Sequence, residues 1–147
     1  MVSKSSPTNL IGTDLGQYHL EELIDETAKS FVFVGKHSTL LRKDLIKVLK
    51  PNQSEERQQQ FLEEGERLVR LGRSDNLPLV HSAGESNGYR YIAMELLGSE
   101  EGSLHSLILS KSRISLDEML NIMDGTANGV TNLHRAGLVH GDIKPKN

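Results

Sequence analysis

The sequence predicts an α+β chain, in which a five-stranded antiparallel sheet with one helix is followed by a wholly helical segment. Three observations carry that expectation. Between residues 17 and 95 the apolar residues fall in short runs that are β-branched or aromatic. One longer amphipathic stretch interrupts those runs. After Glu95 a helical period replaces the strand pattern. The 147 residues, 36% hydrophobic and 25% charged, suit one ordinary soluble domain or a piece of one.

The bulk chemistry removes several functions. Seventeen Lys and Arg against twenty Asp and Glu give a net charge of -3, so no basic field draws the chain to nucleic acid or an anionic membrane. Zero cysteines exclude disulfides, thiolate metal sites and a cysteine nucleophile, and suit a reducing compartment. No run approaches the roughly 18 apolar residues of a membrane span, and the polar start lacks a signal-peptide core. A cytoplasmic chain with no membrane contact in this segment is expected.

Residues 1–16 carry Ser, Pro, Thr and Gly without a period and read as a flexible leader ending in a short strand near Leu10 and Ile11. Strands are predicted over 18–24, 31–35, 44–49, 79–83 and 89–95. The Asn87-Gly88 turn and the short gap between the first two strands favour hairpins, hence antiparallel pairing. A helix should start after Ser54, an N-cap with Glu55 and Glu56 in its first turn, and stop at Gly72. At roughly 100° per residue, Phe61, Leu62, Gly65, Leu68, Val69 and Leu71 form one arc, and Glu64 falls inside it. A carboxylate on a buried face calls for a cationic partner. Polar residues 96–103 read as a hinge. Beyond them, Ser115-Leu-Asp-Glu118 is a capping-box pattern that opens a long helix over 116–134.

The chemistry-bearing residues lie at the end. His140-Gly-Asp-Ile-Lys-Pro-Lys-Asn147 resembles the catalytic loop of the protein kinase family, H-x-D-x-K-P-x-N, at all five specified positions. Phosphoryl transfer needs a carboxylate at the attacking hydroxyl, a cation at the transferred group and an oxygen ligand for a metal on one short loop. By resemblance these are Asp142, Lys144 and Asn147, with His140 packing the loop from beneath. Lysine two residues after the aspartate is the form typical of serine/threonine kinases, including the bacterial Hanks-type members.

Upstream, Asp44-Leu-Ile-Lys47-Val-Leu resembles the V-A-I-K strand, whose lysine holds ATP phosphates and pairs with a helix glutamate, here Glu64. Tyr91-Ile-Ala-Met94-Glu95-Leu-Leu97, followed by Glu101-Gly-Ser-Leu104, resembles the last small-lobe strand, the gatekeeper (Met94), the hinge and the entry to the next helix. The backbone of Glu95 to Leu97 would meet the adenine edge. Val32 would lie over the base, and Leu45 would narrow its pocket where the family has alanine. The opening Ile11-Gly-Thr-Asp-Leu-Gly-Gln-Tyr18 also looks like the start of bacterial members. The resemblance implies a kinase-like small lobe over 17–95, a hinge over 96–103 and the start of the helical lobe over 104–147. It further implies ATP and Mg as cofactors and a protein substrate.

Two departures stand against that pattern. Asp25-Glu-Thr-Ala-Lys-Ser-Phe-Val32 aligns with the phosphate-covering G-x-G-x-x-G-x-V but keeps none of its glycines. Gly141 replaces the arginine of the common H-R-D form. The sequence also ends before the D-F-G segment that holds the principal metal. A pseudokinase, or a truncated kinase-like binding module, is therefore the alternative. A small-molecule phosphotransferase of the aminoglycoside or choline kinase type, which shares H-G-D-x-x-x-x-N, is a further one; Lys144-Pro145 and the Glu101–Leu104 segment lean away from it. The apolar face of helix 116–134 is expected to be covered by a partner. The isolated chain should accordingly self-associate in light scattering, and a monomer with a cooperative melt would contradict this.

Overall fold

The computed structural model describes residues 7–98, 102–111 and 113–146. They fall into two compact units, one within Met1–Gly72 and Leu79–Leu96, the other within Arg73–Pro78 and Leu97–Asn147.

The first unit is a six-stranded antiparallel sheet with one helix. In chain order its elements are β1 (Asp14–Leu15), β2 (Tyr18–Glu26), β3 (Ser30–His37), β4 (Lys43–Leu49), α1 (Glu55–Leu71), β5 (Val80–Ser86) and β6 (Tyr89–Glu95). The strands lie in the order β1-β2-β3-β4-β6-β5. The five expected strands are present. The sixth, β1, comes from the stretch read as a leader. There a short 3-10 turn (Pro7–Asn9) leads into Leu10, which is buried together with Leu15. Gly12 and Gly16, at φ +79° and +60°, turn the chain so that both leucines reach the core. At Gly16 a Cβ would lie 2.3 Å from the Tyr91 hydroxyl, so the close approach requires glycine. A two-residue strand has no periodicity to betray it.

Alternation along the strands divides the sheet into two faces. Phe31, Phe33, Ile46, Val48, Tyr91 and Ala93 point to one face and close the main core with Tyr18 and Leu20. On the other face Leu49, Val80 and Ile92 meet Phe61 of α1. Asn87 and Gly88 both take positive φ, +51° and +76°, which gives the β5–β6 hairpin the primed turn that matches strand twist. Helix α1 has the expected bounds: Ser54 Oγ accepts from the Arg57 N–H, and Gly72 sits at φ +67°. Its contact line is Phe61, Gly65 and Leu68. At Gly65 a Cβ would come within 2.6 Å of Ala83 Cβ and 2.9 Å of Ile92 Cγ1, so the helix rests on the sheet through its own backbone.

A buried charge completes this unit. Asp44, only 1% exposed, shares the single Arg42 Nε–H between its two carboxylate oxygens at 3.0 and 2.9 Å, and His81 Nε2 stands 3.7 Å from Oδ1. The guanidinium answers the desolvated carboxylate.

The second unit contains α2 (Leu104–Ser110) and α3 (Leu116–Arg135). The capping box forms as expected: the Ser115 hydroxyl accepts from the Glu118 N–H while the Glu118 carboxylate accepts from the Ser115 N–H. Segment 73–78, read from the sequence as part of the sheet region, groups with these helices instead. Asn132 Nδ2 donates to Ser74 Oγ at 2.8 Å, and the Asn76 backbone lies so close to Gly129 that a Cβ there would be 2.9 Å from its carbonyl oxygen. Leu116, Leu120 and Met123 form an exposed stripe along α3. No helix among the described residues is long and apolar enough to cross a membrane.

Two predictions come from these elements. Gly65→Val should destabilise the sheet unit by about 2 kcal/mol, because added carbons have no space against Ala83 and Ile92; chemical denaturation will measure it. The second concerns Glu118, whose carboxyl is lowered from 4.5 to about 2 by hydrogen bonds from Lys111 and then Ser115. A depressed acid stabilises above its unfolded value, so the capping box should hold above pH 4.5 and be lost as pH falls toward 2. Amide exchange at Glu118 across that range will follow it, and Glu118→Gln should flatten the profile.

Candidate functional site

The sheet brings together the side chains expected around a nucleotide. Val32 stands opposite Lys47 in the β3–β4 ladder, and Leu45 stands opposite Met94 in the β4–β6 ladder. Residues directly opposite in a ladder share a face. Val32, Leu45, Lys47 and Met94 are therefore neighbours on one half-buried face, the one that also carries Ile92 beneath α1. Apolar walls around one ammonium group suit a flat base with an anionic tail. Glu95 follows Met94 at the end of β6; its N–H donates to the Leu79 carbonyl at 2.8 Å and its Oε2 accepts from the Leu79 N–H at 3.2 Å. Leu97 falls in the second unit and is 59% exposed.

Glu64 differs from expectation. Its side chain is 45% exposed instead of buried, and it forms an ion pair with Arg57, Nη1 to Oε1 at 3.2 Å. The physical reason lies in the helix. Phe61, Gly65 and Leu68 take the contact line, which leaves Glu64 at its margin, and Arg57 two turns earlier reaches it along the same surface. The seven-residue spacing is the one signal in the sequence for that partner.

The segment aligned with the phosphate-covering loop is a tight hairpin closed upon itself. The Thr27 N–H donates to the Ser30 carbonyl at 2.9 Å. Thr27 Oγ1 accepts from the N–H groups of Ser30 at 3.0 Å and Lys29 at 3.3 Å, and it lies 3.0 Å from Ser30 Oγ. The Glu26 N–H donates to Asp25 Oδ1 at 2.8 Å. Lys50 fastens the hairpin to the end of β4: its N–H donates to the Lys29 carbonyl at 2.9 Å, and Nζ meets Glu26 Oε1 at 2.6 Å.

In the second unit, α3 ends at Arg135 with Ala136 as its C-cap, Gly137 follows at φ +71°, and Leu138 is buried where its N–H returns to the Leu133 carbonyl. The following loop carries Asp142 and Lys144. Lys144 Nζ lies 2.8 Å from Asp142 Oδ2, with both side chains about half exposed or more. Gly141, at φ +73°, makes the bend that brings the Asp142 N–H to His140 Nδ1 at 3.2 Å. His140 does not pack beneath the loop as the resemblance implies; it is exposed and acts as a turn acceptor. The Pro145 carbonyl accepts from the His105 N–H at 2.8 Å, which pins the far end of the loop to α2. The loop thus presents a carboxylate and an ammonium side by side, able to receive a hydroxyl proton and to neutralise a transferred anion. Asn147 and Glu101 lie outside the described residues. Among the described residues no three His, Asp or Glu side chains gather as a metal site.

The sequence profile of the protein kinase domain matches residues 18–147. The chain belongs to the protein kinase family. Among its relatives it is 34% identical over 140 residues to the serine/threonine-protein kinase PknA of Mycobacterium tuberculosis, covering 90% of this chain and 32% of that protein. It is 28% identical over 141 residues to the probable serine/threonine-protein kinase CPE1738 of Clostridium perfringens, covering 94% of this chain and 20% of that protein. The crystal structure of the Mycobacterium tuberculosis PknI kinase domain shares the fold: TM-score 0.74 at 25% identity, over 93% of this chain and 56% of that chain. The kinase-family chain thus spans about a third or less of the length of these curated relatives, and covers part of the domain. Members of the family generally use ATP and Mg and act on proteins.

Proposed function

We propose that the protein to which this chain contributes is an ATP-dependent serine/threonine protein kinase, with Asp142 at the hydroxyl and Lys144 at the transferred phosphoryl group. The observation that carries the reading is the Asp142–Lys144 pair at 2.8 Å on a loop of motif spacing. The Asp142 carboxylate would orient the substrate hydroxyl and accept its proton as the new oxygen–phosphorus bond forms and the bond from the γ-phosphorus to the bridging oxygen breaks, releasing ADP. The Lys144 ammonium offsets negative charge on the transferred group and keeps the carboxylate in place between turnovers. Lys47 is assigned to the α and β phosphates, and Val32, Leu45 and Met94 to the base, with the backbone of Glu95 to Leu97 at its edge. Glu64 serves Lys47 once it exchanges partners from Arg57.

The residues fit the cofactor in part. The half-buried apolar face with its lysine suits a nucleotide, whereas the Asp25–Val32 hairpin, with the amides of Glu26, Thr27, Lys29 and Ser30 already bonded, does not suit a phosphate cradle. Asn147 is assigned to Mg; bound metal supplies charge neutralisation at the phosphates. The hairpin also favours a second reading, a pseudokinase or kinase-like binding module in which the sheet face docks a ligand without turnover.

Asp142→Asn in the full-length protein separates the two. Radiolabelled phosphate transfer to serine or threonine of a protein acceptor should fall by about 10²- to 10⁴-fold, with nucleotide affinity retained. Undiminished transfer in the variant would remove the role given to Asp142. Absence of transfer in the unsubstituted protein, with nucleotide bound, would establish the second reading.

A further inference from the structure

We infer that Thr27 is an internal stand-in for a phosphate oxygen, and that the β2–β3 hairpin therefore withholds its Glu26, Thr27, Lys29 and Ser30 N–H groups from a bound nucleotide. A turn that cradles phosphate depends on successive N–H groups left free to point at the anion. Here four N–H groups of the tip, those of Glu26, Thr27, Lys29 and Ser30, already have acceptors within the hairpin, and Thr27 Oγ1 alone takes two of them. A phosphate oxygen at that position would have to displace the hydroxyl and match bonds that are already made.

Three further features hold the lock shut. Ser30 is 3% exposed, so its N–H is withdrawn from water as well as from ligand. The Lys50 N–H holds the Lys29 carbonyl, which prevents the peptide from rotating outward. Lys50 Nζ, 2.6 Å from Glu26 and 4.7 Å from the centroid of the Phe31 ring, ties the near side of the tip to the sheet. Asp25 and Glu26 add negative charge that an approaching triphosphate would meet first.

The inference rests on the nucleotide reading above only for its consequence: phosphate recognition falls to side-chain cations such as Lys47, and affinity is lower than an open glycine turn would provide. The lock itself can be tested without nucleotide. Thr27 is exposed, so replacing it leaves the core intact.

The experiment is residue-resolved amide exchange on the full-length protein, with and without Mg²⁺ and the non-hydrolysable analogue adenylyl imidodiphosphate. Without nucleotide, the Lys29 and Ser30 amides should be protected in the unsubstituted protein and in Thr27→Ser. In Thr27→Val they should exchange about fivefold faster, the share of one or two neutral hydrogen bonds. Equal rates in Thr27→Val and the unsubstituted protein would overturn the lock. With the analogue, exchange should slow around Lys47 but stay within about twofold at Lys29 and Ser30. Marked slowing at those two amides would overturn the inference by showing that the hairpin does close on phosphate. Thr27→Gly, which removes the hydroxyl and restores backbone freedom, should bind the analogue about threefold or more tighter; weaker binding would count against the inference. If the analogue alters exchange nowhere, the nucleotide reading fails, and the lock stands or falls on the Thr27→Val comparison.

Discussion

Three neighbouring strands, β3, β4 and β6, send alternate side chains in opposite directions, and the sheet unit depends on the separation this creates. One set, with Phe33, Ile46 and Ala93 fully buried, makes a core dense enough to hold the strands in register. The other set includes Val32, Leu45, Lys47 and Met94 and stays half-buried. A slip of one residue would exchange the sets, placing Lys47 in the core and a phenylalanine at the surface. The packing that stabilises the sheet and the face that could receive a ligand are consequences of a single register. Helix α1 adds the remaining constraint, because Gly65 lets it approach until Phe61 closes the second cluster, against which Met94 of that face also packs.

Several polar groups of the candidate site follow a different logic, that of a partner near in sequence. Glu64 is met by Arg57 on its own helix, Asp142 by Lys144 two residues on, the Asp142 amide by His140, and the Lys29 and Ser30 amides by Thr27. Short loops lose little entropy on closure, so such pairs form without any other element being in place. Asp44 is the contrast. Its carboxylate is buried within the sheet, and beyond the nearby Arg42 it is flanked by His81 of β5. A desolvated charge needs charge or hydrogen bonding on several sides, and only the assembled sheet provides that.

What the sequence revealed follows the same division. Periodic and capped elements were legible: β-branched runs marked the five long strands, Asn87-Gly88 marked their last hairpin, and Ser54, Gly72 and the Ser115–Glu118 box marked helix ends. The order of motifs pointed to the kinase family, and the register placed Val32, Leu45, Lys47 and Met94 on one face. Features without a period were not legible. Leu10 and Leu15 reach the core through two glycine turns, and no helical wheel could say which cation Glu64 would choose. Nor could missing glycines reveal that Thr27 had taken up the amides they would have left free.

Segment 73–78 makes the second unit discontinuous, since α2, α3 and the Asp142 loop are completed by six residues that precede β5 in the chain. Ser74 is held by Asn132, while Asn76 lies against Gly125 and Gly129. A single backbone cut between residues 96 and 97 would divide the polypeptide without dividing that unit, because the earlier fragment would keep its six-residue contribution seated on α3. Produced as separate polypeptides, 1–96 would carry the whole first unit, whereas 97–147 would lack the six residues that complete the second.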